Sequence, residues 1–232
     1  VRNLAQPQRL PSLPPALRSP LAVAAVLAAM VVAALWVLYA GQSAAGAFDR
    51  WAQPPLDRSG GAALGFALVI DFCGEPVGLT ALVVLLAVSC WLLGNRRMAV
   101  LAVAGPVLTI TVTTVIKPLA HRTIHGGFLS FPSGHTASAT AMAFVLALLI
   151  VQRRRPGRLA GSFLVLGTAT VAGGFAGWAQ AGLTAHYPTD TIAGYCTALA
   201  VVSAAAWLLD RFTVRAESPP EAGSPARRAT TM

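Results

Sequence analysis

A chain of 232 residues that is 56% hydrophobic and only 11% charged lies far from soluble domains, which carry about 25% charged residues. With a mean hydropathy of +0.66, it reads as an integral membrane protein. Its formal charge of +9 invites a nucleic-acid partner, but the placement of the charges excludes that reading.

In chain order, residues 1–20 are rich in proline and arginine and read as a disordered cytoplasmic tail. The first apolar run, 21–40, is close to the ~20 residues a helix needs to cross the hydrocarbon core. It exceeds the usual ~7–15 residues of a secretory signal, so it reads as an uncleaved anchor despite the cleavage-like Ala45-Gly46-Ala47. The segment 41–75 holds Pro54-Pro55, Gly60-Gly61 and an apolar run from Ala62 to Ile70 that is too short to span. An interfacial or re-entrant helix is expected there. Five more runs follow at 76–94, 98–116, 132–151, 159–180 and 191–209. None of the six interiors holds Asp, Glu, Lys or Arg, as expected when one charge at mid-bilayer costs roughly 2.5–3.5 kcal/mol or more. The expected fold is all-α: one polytopic bundle of six transmembrane helices over 21–211, followed by a second disordered tail at 212–232.

Trp36, Trp51, Trp91, Trp178 and Trp207 lie near span ends or in the outer segment, which suits interfacial anchoring. Gly173, Gly174 and Gly177 fit close helix packing. Cys90 and Cys196 fall within spans and leave Cys73 alone outside, so there is no disulfide framework.

Six spans put both termini on one side. Arg2, Arg9, Arg18, Arg96, Arg97, Arg153, Arg154, Arg155, Arg158, Arg211, Arg215, Arg227 and Arg228 all fall on that face, leaving Arg50, Arg58, Lys117 and Arg122 on the other. The positive-inside rule makes the arginine-rich face cytoplasmic. The basic excess is therefore a topology signal.

Three polar clusters then share the opposite face: Lys117 to Arg122 after the third span, Ser133-Gly134-His135 at the start of the fourth, and His186 with Asp190 before the sixth. Lys117 and Arg122 supply charge and donors for phosphate oxygens. Pro132-Ser133-Gly134 reads as a helix start whose free amides and dipole form an anion site. His186 and Asp190 are four residues apart, so a helical or turn-like segment puts them on one side. Asp190 can accept the Nδ1 proton and leave Nε2 of His186 as a nucleophile, with His135 as proton donor to the leaving group. No metal or cofactor is required, because the cations and amides can hold the phosphate charge. Singly, each residue has a plainer reading: Lys117 as a snorkelling side chain, Asp190 as an N-cap, His121 and His125 as polar caps. The last two are spaced like metal ligands but have no evident third partner.

These residues resemble the type 2 phosphatidic acid phosphatase (PAP2) superfamily of membrane lipid phosphatases, relatives of vanadium haloperoxidases. Pro132-Ser133-Gly134-His135 matches that family's Pro-Ser-Gly-His, His186-Tyr187-Pro188-Thr189-Asp190 matches the end of its Ser-Arg-x5-His-x3-Asp motif, and Lys117 starts its first motif. The likeness covers about 76–209. It implies a phosphohistidine at His186, oriented by Asp190, with His135 protonating the leaving group. Two places depart from the pattern. Ile124 and His125 stand where the family has Arg-Pro, with Arg122 as the substitute cation, and Ala179-Gln180 stands where it has Ser-Arg. Gln180 still offers the phosphate a hydrogen bond, but losing a charged contact is expected to slow turnover by about two to three orders of magnitude.

The expected function is a metal-independent phosphatase of lipid phosphates or diphosphates with an extracytoplasmic site. Substrates in view are a polyprenyl diphosphate carrier, phosphatidic acid or phosphatidylglycerol phosphate. A catalytically impaired protein that binds lipid phosphate without turnover is the alternative. A transporter is disfavoured, since the spans hold no charged residues for a mid-membrane path.

Overall fold

The structure, a computed structural model, describes residues 11–217, with side chains as far as Phe212. A short 3₁₀ turn at Pro15–Leu17 leads into α1 (Arg18–Tyr39). It is followed by α2 (Ala47–Ala52), α3 (Ala62–Gly74), α4 (Pro76–Leu92) and α5 (Arg96–Ala120). A two-residue hairpin, β1 (Thr123–Ile124) with β2 (Phe128–Leu129), precedes α6 (Gly134–Arg154), α7 (Arg158–Gly182) and α8 (Pro188–Glu217). Thr123 pairs with Leu129, and Ile124 with Phe128.

Five helices, α1 and α5 to α8, are long and apolar enough to cross a membrane, and α3 with α4 makes a sixth candidate bent by 69°. The chain is a multi-pass membrane protein. Large apolar side chains such as Val26, Val37, Val77, Leu85, Phe163 and Val171 stay exposed on the bundle surface, as a lipid-facing exterior requires.

The second expected span is α4, and the sixth candidate joins it to the short run before it across a break. Pro76 begins α4 and Glu75 is extended, because a proline disfavours helical geometry in the residue before it. Gly78 lets the elbow close: a Cβ there would sit 2.1 Å from the Phe72 carbonyl oxygen. The short apolar run expected to lie across the surface is α3, which packs on α4, α6 and α7.

Helix α6 forms the centre of the bundle, packed on α5, α7 and α8, while α1 lies outside against α8. Phe144, Val145, Leu148, Leu101, Val165 and Val202 are buried around it. A Cβ on Gly173 would meet Thr140 Oγ1 at 2.5 Å, and one on Gly177 would meet Thr191 Oγ1 at 3.1 Å, so these two glycines do set close packing. Gly174 has nothing within 4 Å and plays no such part.

One tail differs from expectation. Residues 11–17 are ordered: Leu13 and Leu17 are buried, and the amides of Ser12 and Leu13 donate to Asp210 at 2.6 and 2.9 Å. Gln152 also donates to the carbonyls of Pro11 and Ser12. Proline-rich composition signals the lack of a regular helix, but here side chains of α6 and α8 satisfy the extended backbone. The remainder of the two tails, residues 1–10 and 218–232, with Arg2, Arg9, Arg227 and Arg228, lies outside the described residues, and of Arg215 only the backbone is described. The backbone of α8 runs on through 212–217.

Candidate active site

The mouth of α6 is built around Ser133. Its hydroxyl caps the helix, accepting from the Thr136 amide at 3.4 Å and the Thr136 hydroxyl at 3.1 Å. Its own amide donates to the Asp190 carbonyl at 2.9 Å, which ties the α6 start to the α8 start. Gly194 makes that contact possible, since a Cβ there would lie 2.3 Å from the Ser133 carbonyl oxygen. At Gly134 an added Cβ would meet nothing nearer than Thr113 Oγ1 at 3.8 Å. The protein leaves this spot open over the first amides of α6, where an anion is favoured.

His186 is buried in the turn between α7 and α8. Its Nδ1 lies 3.9 Å from Asp190 Oδ2, within ion-pair reach but too far for a hydrogen bond, and it has no other partner. Burial pushes the imidazole below its ordinary pKa. The Lys117 and His135 charges push the same way, and Asp190 opposes them. The balance favours a neutral ring.

Arg122 differs most from its expected place. It is wholly buried, with Nη1 donating to Asp190 Oδ1 and Thr189 Oγ1 at 2.6 Å each and Nη2 donating to Asp49 Oδ2 at 2.6 Å. The rings of Tyr39 and Tyr187 cover its two sides, 4.4 and 4.5 Å from the guanidinium carbon. Rather than reaching an outside phosphate, it fixes Asp190 against α2. Burial works to raise the Asp49 pKa, but hydrogen bonds from Thr189 and Gly46 and the Arg122 charge outweigh it and hold the carboxyl below its ordinary range. Asp49 and Tyr39 were missed by sequence reasoning. An aspartate on the outer face is a weak signal, and nothing local predicts that Arg122 folds back onto it.

Lys117 is half-buried and donates one of its protons to the Leu129 carbonyl at 2.9 Å. That leaves two donors for a ligand. His135 sits against the α3–α4 elbow, where a Cβ on Gly74 would be 2.2 Å from its ring. Its Nε2 faces Asp71 Oδ1 at 3.6 Å and Glu75 Oε1 at 3.5 Å. Gln180 is buried and donates to Asp71 at 2.6 Å, so its amide is turned to a carboxylate instead of an anion. Asp71 and Glu75 were also missed, although their four-residue spacing was a readable signal. A cavity of about 430 Å³ is lined by Arg50, Gln53, Ile124, His125, His186 and Tyr187, among others. His121 is the left-handed C-cap of α5, while His125 meets the Thr184 carbonyl at 2.6 Å. The two do not share a ligand.

The site therefore brings together His186, Asp190, Ser133 and Gly134 on the mouths of α6 and α8, with Lys117 and His135 near enough for their charges to act on His186. A family model for the PAP2 superfamily matches residues 106–213, a segment that holds all of these residues. Among solved structures, one similar chain is the first transmembrane PAP2-type phosphatidylglycerolphosphate phosphatase from Bacillus subtilis. The TM-score is 0.57 at 16% identity, over 88% of this chain and 99% of that one, a likeness of fold. No curated protein matches the sequence. Residues 106–213 thus match the PAP2 superfamily model, and the chain as a whole shares the fold of a transmembrane PAP2-type phosphatase.

Proposed function

We propose that this protein hydrolyses a lipid phosphate or diphosphate through a phosphohistidine on His186. Nε2 of His186 attacks phosphorus, the bond to the leaving oxygen breaks, and His135 supplies the proton that oxygen needs. Water then cleaves the N–P bond. Asp190, 3.9 Å from Nδ1, orients the imidazole once the two close on a bound phosphate, Arg122 and Asp49 hold Asp190, and Lys117 with the first amides of α6 meets the phosphate charge. No divalent metal enters this chemistry. One observation carries the reading: a buried, neutral-leaning His186 with a partner-free Nδ1 faces a carboxylate pinned by Arg122.

The site is read as extracytoplasmic, with both termini in the cytoplasm. Lys117 and Arg96 lie at opposite ends of α5, His135 and Arg153 at opposite ends of α6, and Gln180 and Arg158 at opposite ends of α7. The positive-inside rule assigns the arginine ends to the cytoplasm. An outward site suits recycling of a polyprenyl diphosphate carrier. Gln180, bonded to Asp71, and Ile124, in the cavity wall, supply no charge to a substrate. That favours the second reading, in which lipid phosphate is bound and turned over slowly or not at all.

The test is phosphate release in detergent from polyprenyl diphosphate, phosphatidic acid and phosphatidylglycerol phosphate, without added metal. Wild type should release phosphate from at least one of them, and His186→Ala from none. Binding without release by wild type would support the second reading.

A further inference from the structure

We propose that Asp71, Glu75 and His135 form a binding site for a single divalent transition-metal ion of the zinc class, and that occupancy of this site shuts off the phosphatase.

The elbow between α3 and α4 puts the three side chains together. Their ligand atoms all lie within 4.8 Å of one another. The His135 Nε2 distances of 3.5 and 3.6 Å to the two carboxylates are too long for hydrogen bonds. They are close to the ~3.4 Å between ligands on the edge of a tetrahedron with ~2.1 Å metal bonds. The Nε2 atom is itself shut off from solvent and has no hydrogen-bond partner. Among the described residues, no lysine or arginine is seen to pair with Asp71 or Glu75. A protonated imidazole could offset only one of these two negative charges, whereas a divalent ion offsets both.

An imidazole with two carboxylates is a ligand set that suits zinc and its neighbours and leaves a fourth position open. The support around it is also in place. Gln180 holds Asp71 by a 2.6 Å bond to Oδ1, the oxygen that faces His135, a contact that orients the carboxylate as outer partners of metal ligands do. Glu75 is half exposed, which gives the ion an entry path.

The functional consequence rests on the proposed role of His135 as proton donor. A metal on Nε2 takes the lone pair that would carry the proton, so the leaving oxygen loses its acid while His186 is untouched. The ion is thus an inhibitor of a reaction that needs no metal.

The experiment uses the full chain in detergent, stripped with chelator, and titrates Zn²⁺ by calorimetry alongside phosphate release. One equivalent should bind to wild type. Asp71→Asn and Glu75→Gln, near-isosteric changes, should each weaken binding at least about tenfold, and His121→Ala/His125→Ala should leave it intact. Zn²⁺ should suppress release by wild type, with chelator restoring it. Absence of saturable binding, or binding that survives both carboxylate changes together, overturns the site. Carboxylate-dependent binding with release indifferent to Zn²⁺ overturns the inhibition. A stripped protein that binds Zn²⁺ as described yet releases no phosphate supports the site and counts against the catalytic reading alone.

Discussion

The Arg122 guanidinium shows how a residue of the expected type can serve a different purpose. Its burial between Asp49 and Asp190, under two tyrosine rings, makes a closed ion triad that joins the short helix α2 to the start of α8. Removing one partner of a buried pair leaves an unpaired charge at a cost of about 3–5 kcal/mol. Arg122→Met, which strips Asp49 and Asp190 of their shared counter-charge, should therefore lower unfolding stability in detergent by that order, and a change below ~0.5 kcal/mol would show the triad to be incidental. The pH response follows from His186. Its pKa is depressed by burial, so the neutral, nucleophilic ring persists below the ordinary histidine value of about 6.5. The acid limb of turnover should fall below pH ~6.5, and an acid limb above it would contradict a buried neutral nucleophile. The unfolded chain binds the extra proton first, so this group's contribution to stability is present above pH ~6.5 and is lost as pH falls toward the depressed value.

At the scale of elements, the site depends on two helix starts held together by backbone. Gly194 admits the Ser133 carbonyl against α8, and the Ser133 amide bonds the Asp190 carbonyl in return. Gly194→Ala should push the mouth of α6 away from His186 and reduce turnover by about a hundredfold, the usual scale for an ångström of misplacement. Gly167→Ala in α7, with nothing within 4 Å of the added carbon, is the matched control and should be silent. What could be read in the sequence at this scale follows from chemistry. Apolar runs without charge give helices of nearly the right bounds, and Ser133 announces its cap. The elbow at Gly74–Pro76 was readable only in part. The proline marks a break, but the 69° turn that brings Asp71 and Glu75 to His135 comes from tertiary packing on α6 and α7.

On the scale of the whole molecule, alternating helices place Lys117, His135 and Gln180 at one end of α5, α6 and α7 and Arg96, Arg153 and Arg158 at the other, with α6 running through the centre. This arrangement was legible because charge is costly in hydrocarbon and the exceptions cluster. Partner choice within the polar end was not legible. Lys117, Arg122 and Gln180 all read as phosphate ligands by type, yet two of the three point to aspartates. Which cation meets a carboxylate is decided by contacts between residues tens of positions apart, beyond the reach of a local motif. In the proposed reaction His186 becomes covalently phosphorylated. The most direct measurement is rapid quenching of purified protein with a phosphorus-labelled lipid phosphate, followed by mapping of acid-labile label. Stoichiometric label is expected on His186, lost in His186→Ala and accumulating when water attack is slowed. Efficient phosphate release with no label on His186 at any time would contradict that reaction.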